Sequence, residues 1–296
     1  MDFSRVGKKI YELRKYQKMT QADLAKGICT QAQISKIENG TIIPYSNTLF
    51  EIAERLGTDI YYFFDDLRSD RPYYAEEVFY QIRELITSQD YKEVRNVMEQ
   101  ERNNPLFQSG SNLQFFLWHK GICAYHVDKD PANALSLLQQ SLQVDEMSDF
   151  TERKGEIYNS IAVILNLEDK CEEAIAICEK TLKQLQAFQR IKDPSIPIRL
   201  LYTLSKSLTK VKDYEESISC CEEGITLSLH ARSLYILGEL YYQKGKNLVL
   251  LNDYDEALSC CNNAFAIFKA TNQDHFGRIV EKEQAFLREK LKSYDQ

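Results

Sequence analysis

Apolar and polar residues alternate with a helical period through the first forty positions of the chain. Residues 5–17 carry apolar side chains along one helical face. Thr20 with Asp23, and then Thr30 with Gln33, form two capping boxes, in which a hydroxyl caps the helix and the later side chain reaches back. One longer helix followed by two short capped helices predicts a helix-turn-helix.

From about residue 70 the apolar positions continue at helical spacing, and the pattern repeats roughly every 40 residues. The segments 213–227 (DYEESISCCEEGITL) and 253–267 (DYDEALSCCNNAFAI) align directly, and weaker copies precede them. A small or apolar residue recurs at the same place in each copy. These residues are Val94, Ala134, Ala174, Ser217 and Ala257. Helix pairs with a small residue at their closest contact are typical of tetratricopeptide (TPR) arrays.

The two patterns together predict an all-α protein with two functional parts. We expect a five-helix helix-turn-helix DNA-binding domain over residues 1–66 and a linker helix over 67–82. Residues 83–296 should form a right-handed superhelix of about five degenerate TPR-like helix pairs, which binds a peptide and dimerises.

Composition narrows the class of protein further. With only 6 prolines and 11 glycines in 296 residues, a turn-rich β architecture is disfavoured. The eight cysteines form no CxxC pair and the four histidines are scattered, so we expect reduced packing cysteines, no metal site and no cofactor. A redox role for a cysteine stays open. Without a signal peptide or a long apolar run, the chain should be cytoplasmic and unattached to membranes.

Charge locates the expected DNA contact at the front of the chain. The net charge is −7, yet residues 1–40 carry eight lysines and arginines against four acids, a local +4. Because Ile34 and Ile37 must face the core, the second capped helix should present its other side to the major groove. Gln31 can read adenine, and Lys36 can reach a guanine or a phosphate.

The predicted DNA contacts also include the surroundings of that helix. Gln21 and Arg14 are expected to bind phosphates, whereas Gln33 is ambiguous because it can be occupied in capping Thr30. For any single residue a solvated polar face is a competitive interpretation. The full set is Arg14, Gln21, Thr30, Gln31, Gln33, Ser35 and Lys36.

A TPR-like array exposes a concave groove suited to an extended peptide. Side-chain amides can satisfy both an N–H and a C=O of a peptide backbone, and Asn159 and Gln243 lie on helices expected to line the groove. Tyr202 and Tyr242 can form amphipathic walls. A satisfied inter-helix hydrogen bond or a packed ring is the alternative for each.

Specific segments carry a resemblance to known families. TQADLAKGICTQAQISKIENG, within residues 5–66, resembles the Cro/C1-type helix-turn-helix family. Over nearly the whole chain, and clearly in IYNSIA and GELYYQKG, the sequence resembles the PlcR-like, peptide-responsive quorum-sensing regulators of Gram-positive bacteria. The resemblance implies that Asn159 and Gln243 hold a signalling peptide, while Thr203 replaces a family asparagine. Thr87 and Gln89 replace family lysines, which implies a different peptide.

These observations give a leading hypothesis and two rivals. The leading one is a homodimeric transcription regulator, by resemblance an activator, that binds a pseudo-palindromic double-stranded DNA operator under the control of a short re-imported peptide. The expected peptide site comprises Asn159, Tyr202, Thr203, Tyr242 and Gln243. One rival is a phage-type repressor whose repeats only dimerise or dock a protein partner. The other is an enzyme, which we do not expect because no nucleophile and base are assembled.

Overall fold

The computed structural model is helical throughout the residues that it describes, which are 4–67, 74–144, 150–188 and 191–294. The chain divides into two compact units, Met1–Glu77 and Val78–Gln296. The predicted linker over 67–82 falls partly on residues 68–73, which lie outside the described part, so its bounds stay a prediction.

The first unit contains the five predicted helices. They are α1 (Ser4–Tyr16), α2 (Gln21–Ala25), α3 (Gln31–Glu38), α4 (Ser46–Arg55) and a 3₁₀ helix (Ile60–Leu67). Both capping boxes form, with the Thr20 hydroxyl 3.1 Å from the Asp23 amide and the Thr30 hydroxyl 3.2 Å from the Gln33 amide. They begin α2 and α3 where the sequence predicts.

One apolar core holds these five helices together. Its fully buried members include Ile10, Leu24, Ile34, Ile52 and Phe63, which come from all five helices. Burial of such side chains is the main stabilising term in a domain of this size.

Helices α1 and α3 pack closely against each other at Gly7. A Cβ atom added at Gly7 would lie 2.0 Å from the carbonyl oxygen of Ile37, so only glycine allows the two helices to pack at this distance.

Among the described residues, five antiparallel helix pairs followed by one long helix make up the second unit, except that the first of these helices begins at Tyr74, within the last residues of the first unit. The pairs are α5 (Tyr74–Thr87) with α6 (Tyr91–Gln100), α7 (Gly110–His126) with α8 (Pro131–Gln143), α9 (Glu152–Leu167) with α10 (Cys171–Leu185), α11 (Ser195–Lys210) with α12 (Tyr214–His230), and α13 (Leu237–Leu250) with α14 (Tyr254–Ala270). The final helix is α15 (Asp274–Tyr294), and a short 3₁₀ helix (Pro105–Phe107) lies between α6 and α7. The predicted TPR-like architecture of about five pairs is confirmed.

The five pairs share one turn geometry. In each, the residue just before the N-cap of the second helix has a positive φ of 57–68°, and in four pairs an aspartate caps that helix. The next amide bonds back to the first helix, for example Asp253 N–H to Leu248 C=O at 2.9 Å, which is a Schellman-type ending. The positive-φ residues are Gln89, Lys129, Asp169, Lys212 and Asn252.

The small repeat positions lie where the paired helices touch. Val94, Ala134, Ala174, Ser217 and Ala257 are each fully buried. In the second pair, a Cβ on Gly121 of α7 would lie 3.0 Å from the Ala134 carbonyl oxygen of α8. The period seen in the sequence is therefore the period of close helix–helix contacts.

The cysteines act as packing residues in this architecture. All eight are free thiols, and all but the half-buried Cys29 are buried. Burial raises the pKa of every one of them, to about 12 for Cys221 and Cys261. A thiol held protonated is a poor nucleophile, so the environment favours packing over chemistry.

Two further observations concern the residues that the structure describes. Among them, no group of three or more His, Cys, Asp and Glu side chains is arranged to hold a metal ion. None of their helices is both long and apolar enough to cross a membrane.

Candidate DNA-binding surface and peptide groove

The second helix of the helix-turn-helix, α3, is oriented as its sequence predicts. Ile34 and Ile37 are 0% and 2% exposed and belong to the core, whereas Gln31 and Lys36 are exposed. Ser35 is half-buried on the outward side. The helix therefore offers a polar face of the chemistry that can contact base edges in a major groove.

A chain of hydrogen bonds connects the core of this unit to that exposed face. Arg14 donates two hydrogen bonds to the Glu38 carboxylate, at 2.6 and 2.8 Å. Gln21 Nε2 donates to the same carboxylate at 2.7 Å, and Gln31 Nε2 donates to Gln21 Oε1 at 2.7 Å. The carboxamide of Gln31 is thus held in one orientation by a fixed support.

This chain corrects the prediction for Arg14, which is not a phosphate clamp in this structure. Its side chain is 4% exposed and its guanidinium is committed to Glu38 and to the Met19 carbonyl oxygen, 2.7 Å away. The hydrogen bonds to the Glu38 carboxylate raise the pKa of Arg14 above its ordinary value, so its guanidinium stays charged although it is buried. The sequence does carry a signal for this pair, because Glu38 follows the core residue Ile37 on α3.

The remaining predicted DNA residues divide between support and contact. Gln21 is half-buried and orients Gln31, while Gln33 accepts from the Thr30 amide at 3.0 Å and so completes the capping box. Gln31 keeps an amide hydrogen and its carbonyl oxygen without partners among the described residues, which is the set needed to bind adenine. With exposed Lys36, it forms the centre of the candidate surface.

The candidate groove lies on the first helices of the early pairs of the second unit. Two cavities of about 390 and 230 Å³ share Asn159, Val163 and Arg199 in their walls. A larger cavity of about 650 Å³ is formed by α6, α7, α8 and the segment between α6 and α7, and it contains none of the predicted peptide residues. Residue chemistry, and not size, therefore selects the groove.

Asn159 lies where the two cavities meet. Its Oδ1 atom accepts a hydrogen bond from the Thr203 hydroxyl at 2.9 Å, and its amide nitrogen has no partner among the described residues. Thr203 is buried and lines the smaller cavity with Tyr202. The structure thus brings together three of the five predicted peptide residues.

Tyr202 forms an apolar wall of the smaller cavity. The Lys206 ammonium lies 5.4 Å from the centre of its ring, and burial raises the pKa of its hydroxyl well above the ordinary value. The ring is therefore a neutral, amphipathic surface of the kind that packs against peptide side chains.

Gln243 and Tyr242 lie outside these two cavities, and their role as peptide residues stays a prediction. Gln243 is 6% exposed, and its amide donates to the Thr209 hydroxyl at 2.7 Å between α13 and α11. Tyr242 packs against the apolar cluster around α14. Neither side chain lines the two cavities. Gln243 instead contacts α11, and Tyr242 contacts α14.

Thr87 and Gln89, the two positions where the sequence resemblance implies a change from lysine, lie in different surroundings. Thr87 lines the larger groove cavity, whereas Gln89 is an exposed residue of the turn between α5 and α6, at φ 60°.

Sequence reasoning missed a charged cluster on the groove floor. Glu156 on α9 lies 3.1 Å from the Arg199 guanidinium on α11 and 3.9 Å from that of Arg83 on α5. Asp193 lies 3.8 Å from Arg199. These residues come from three helices and a connecting segment, so no local pattern in the sequence joins them.

An aromatic wall adjoins this cluster. Trp118 donates to the Ser160 hydroxyl at 2.8 Å, and His119 stacks on Phe115 at 3.9 Å. Burial, opposed by a hydrogen bond to the Phe115 carbonyl, lowers the pKa of His119 to about 3, so this imidazole is neutral. The repeat period could have pointed to this wall from the sequence alone. His119 lies 40 residues before Asn159 and therefore at the equivalent place of the preceding helix pair.

These features define a helix-turn-helix protein with a TPR-like array that contains a polar and aromatic groove. Comparison with known proteins identifies the family. Residues 80–288 match the RNPP family C-terminal domain, and residues 10–63 match a helix-turn-helix family. The chain belongs to the RNPP family. None of the curated proteins compared with it gives a significant match.

Solved structures share the whole architecture. PlcR of Bacillus thuringiensis in complex with the peptide PapR7 and DNA is 25% identical, with a TM-score of 0.70 over 94% of this chain and 99% of that one. The apo form of the same protein is 23% identical, with a TM-score of 0.66 over 94% and 98%. ComR of S. thermophilus, in complex with DNA and its signalling peptide ComS, is 14% identical, with a TM-score of 0.62 over 95% and 99%. The last two likenesses concern the fold.

Proposed function

We propose that this protein is a cytoplasmic transcription regulator, not an enzyme, that binds an operator through α3 and is controlled by a short signalling peptide in the groove. The observation that carries the peptide half is Asn159, whose amide nitrogen, at the junction of two cavities, has no hydrogen-bond partner within the described part of the chain. The PlcR and ComR structures with peptide and DNA support the same assignment.

The DNA half rests on the held carboxamide of Gln31 and the exposed ammonium of Lys36. A side-chain amide with one free donor and one free acceptor matches the edge of adenine, and a nearby cation matches phosphate or guanine. We propose a pseudo-palindromic operator and a homodimer, because two such helices at one-turn spacing read two half-sites.

The division of labour follows the two units. Residues 1–66 would bind DNA, 67–82 would connect, and 83–296 would bind the peptide and dimerise. A peptide that binds one arrangement of the dimer more tightly than another shifts the population toward it, by no more than its difference in affinity. Regulation then needs no chemistry in the groove.

The experiment measures operator affinity of the full chain with and without synthetic heptapeptides from short reading frames next to its gene. A cognate peptide should change operator affinity, and Asn159→Ala should abolish that change while leaving operator binding without peptide intact. Asn263→Ala, at an exposed asparagine of α14, is the matched control and should respond like the wild type. Unchanged operator affinity at saturating peptide would instead favour a repressor whose repeats only dimerise or dock a protein.

A further inference from the structure

Arg83 is an unusual arginine for its position in the groove. It lies on α5 and lines the larger groove cavity, yet its guanidinium makes no hydrogen bond with any described residue. Its contacts are the Glu156 carboxylate at 3.9 Å and the face of the Phe115 ring at 5.8 Å. A guanidinium has five N–H donors, so most of its binding capacity is unused.

The carboxylate beside Arg83 is already engaged by another arginine. Glu156 has a side chain only 10% exposed and receives a hydrogen bond from Arg199 at 3.1 Å. The Arg83 side chain is 55% exposed. Arg199 therefore neutralises the buried Glu156 carboxylate. Arg83, at the edge of the same ion cluster, can bind the carboxylate of a ligand, and Glu156 would still be paired with Arg199.

The surroundings strengthen attraction for an anion. The Arg153 guanidinium lies 5.5 Å from the same Phe115 ring that Arg83 contacts, and His119, which stacks on this ring, is neutral. A charge-assisted pair between a guanidinium and a carboxylate is stronger than a hydrogen bond between neutral groups.

We propose that Arg83 is the anchor for a carboxylate of the bound peptide, and that Glu156 is the internal carboxylate which the ligand displaces from it. This inference rests on the proposed peptide function and specifies the ligand class as a peptide that presents a carboxylate to the α5 end of the groove. Asn159, in the wall of the same cavity, would hold the backbone of that peptide.

The test uses three pools of random synthetic heptapeptides and the immobilised full-length chain. The first pool has a free carboxyl terminus, the second an amidated terminus, and the third an amidated terminus without Asp or Glu. Retention of each pool is measured by mass spectrometry on the wild type, Arg83→Gln, Glu156→Gln and Arg102→Gln. Arg102 is the matched control, with a side chain 75% exposed and a 3.8 Å pair to Glu99, near the end of α6, from the turn that follows the helix.

The wild type should retain the first pool and not the third. Retention of the second pool would show that the bound carboxylate is an acidic side chain, and its loss would show that it is the carboxyl terminus. Arg83→Gln should lower retention about tenfold, as expected for a lost charge-assisted pair, whereas Arg102→Gln should not. Glu156→Gln should raise retention, because the competing carboxylate is gone. Thermal melting of each variant checks that it is folded. We expect Arg83→Gln to fold normally because the Arg83 side chain is 55% exposed.

Opposite results would separate this inference from the function on which it rests. Equal retention of the first and third pools, or weaker retention by Glu156→Gln, would overturn the anchor while leaving peptide regulation in place. Retention of no pool by the wild type would contradict both.

Discussion

Replacing Glu38 by alanine tests whether the buried ion pair between α1 and α3 holds the DNA-reading helix in place. The Arg14 and Glu38 side chains are 4% and 2% exposed and share two hydrogen bonds of 2.6 and 2.8 Å. The change removes the carboxylate that pairs with the guanidinium and leaves the hydrogen bond from Arg14 to the Met19 carbonyl. It also removes the acceptor of Gln21, which supports Gln31.

The magnitude follows from the burial of both charges. Removing one partner of a buried ion pair costs about 3–5 kcal/mol, because the other charge stays desolvated. Whole domains are stable by only about 5–15 kcal/mol, so the first unit should lose a large part of its stability. We expect faster hydrogen exchange in α1, α2 and α3 of the full chain, and a lower urea midpoint for that unit.

Two variants control this experiment. Glu54→Ala removes an exposed glutamate of α4 and should change little. The double variant Arg14→Met/Glu38→Leu removes both charges and should recover much of the loss, since apolar replacement of a buried pair is often neutral. If Glu38→Ala unfolds like Glu54→Ala, the ion pair does not stabilise the unit and Arg14 is again a candidate for phosphate binding.

Three further predictions address the core, the DNA surface and pH. Gly7→Ala places a Cβ 2.0 Å from the Ile37 carbonyl oxygen and should destabilise the first unit by about 1–3 kcal/mol in urea unfolding. Lys36→Ala should weaken operator binding and reduce its salt slope by about one, with unfolding unchanged. His119, with a folded pKa of about 3 below its unfolded pKa of about 6.5, binds its proton only on unfolding, so stability falls with falling pH between these values. The slope of the unfolding free energy against pH should gain about 1.4 kcal/mol per pH unit from His119, and this contribution should be absent in His119→Leu. The same slope in the wild type and in His119→Leu would contradict the prediction.

Local signals in the sequence determined most of the fold. Capping boxes are decided by side chains three residues apart, and the beginnings of α2 and α3 follow from them. The 40-residue period is likewise visible without coordinates, because each repeat must place a small residue at the same helix contact. Aspartates at the starts of four second helices add the same kind of local information.

The candidate site could be predicted only in part. Asn159, Gln31 and Lys36 could be proposed from the chain alone because their chemistry and helical position are evident there, and their roles stay predictions. For Gln243 the sequence leaves two roles open, because an amide that binds a peptide and one that bridges two helices have the same sequence pattern. The structure adds its hydrogen bond to Thr209, a contact between residues 34 positions apart that the sequence does not show.

Tertiary structure alone decided which charges meet. The Arg14–Glu38 pair became structural because the packing of α1 against α3 buries both groups, and a buried guanidinium must be neutralised where it lies. Arg83, Glu156 and Arg199 are distant in sequence, and only the stacking of α5, α9 and α11 brings them to one groove floor. The sequence by itself determined the helices and their order, since those depend on neighbours along the chain. The ion clusters depend on neighbours in space, which a helical period does not specify.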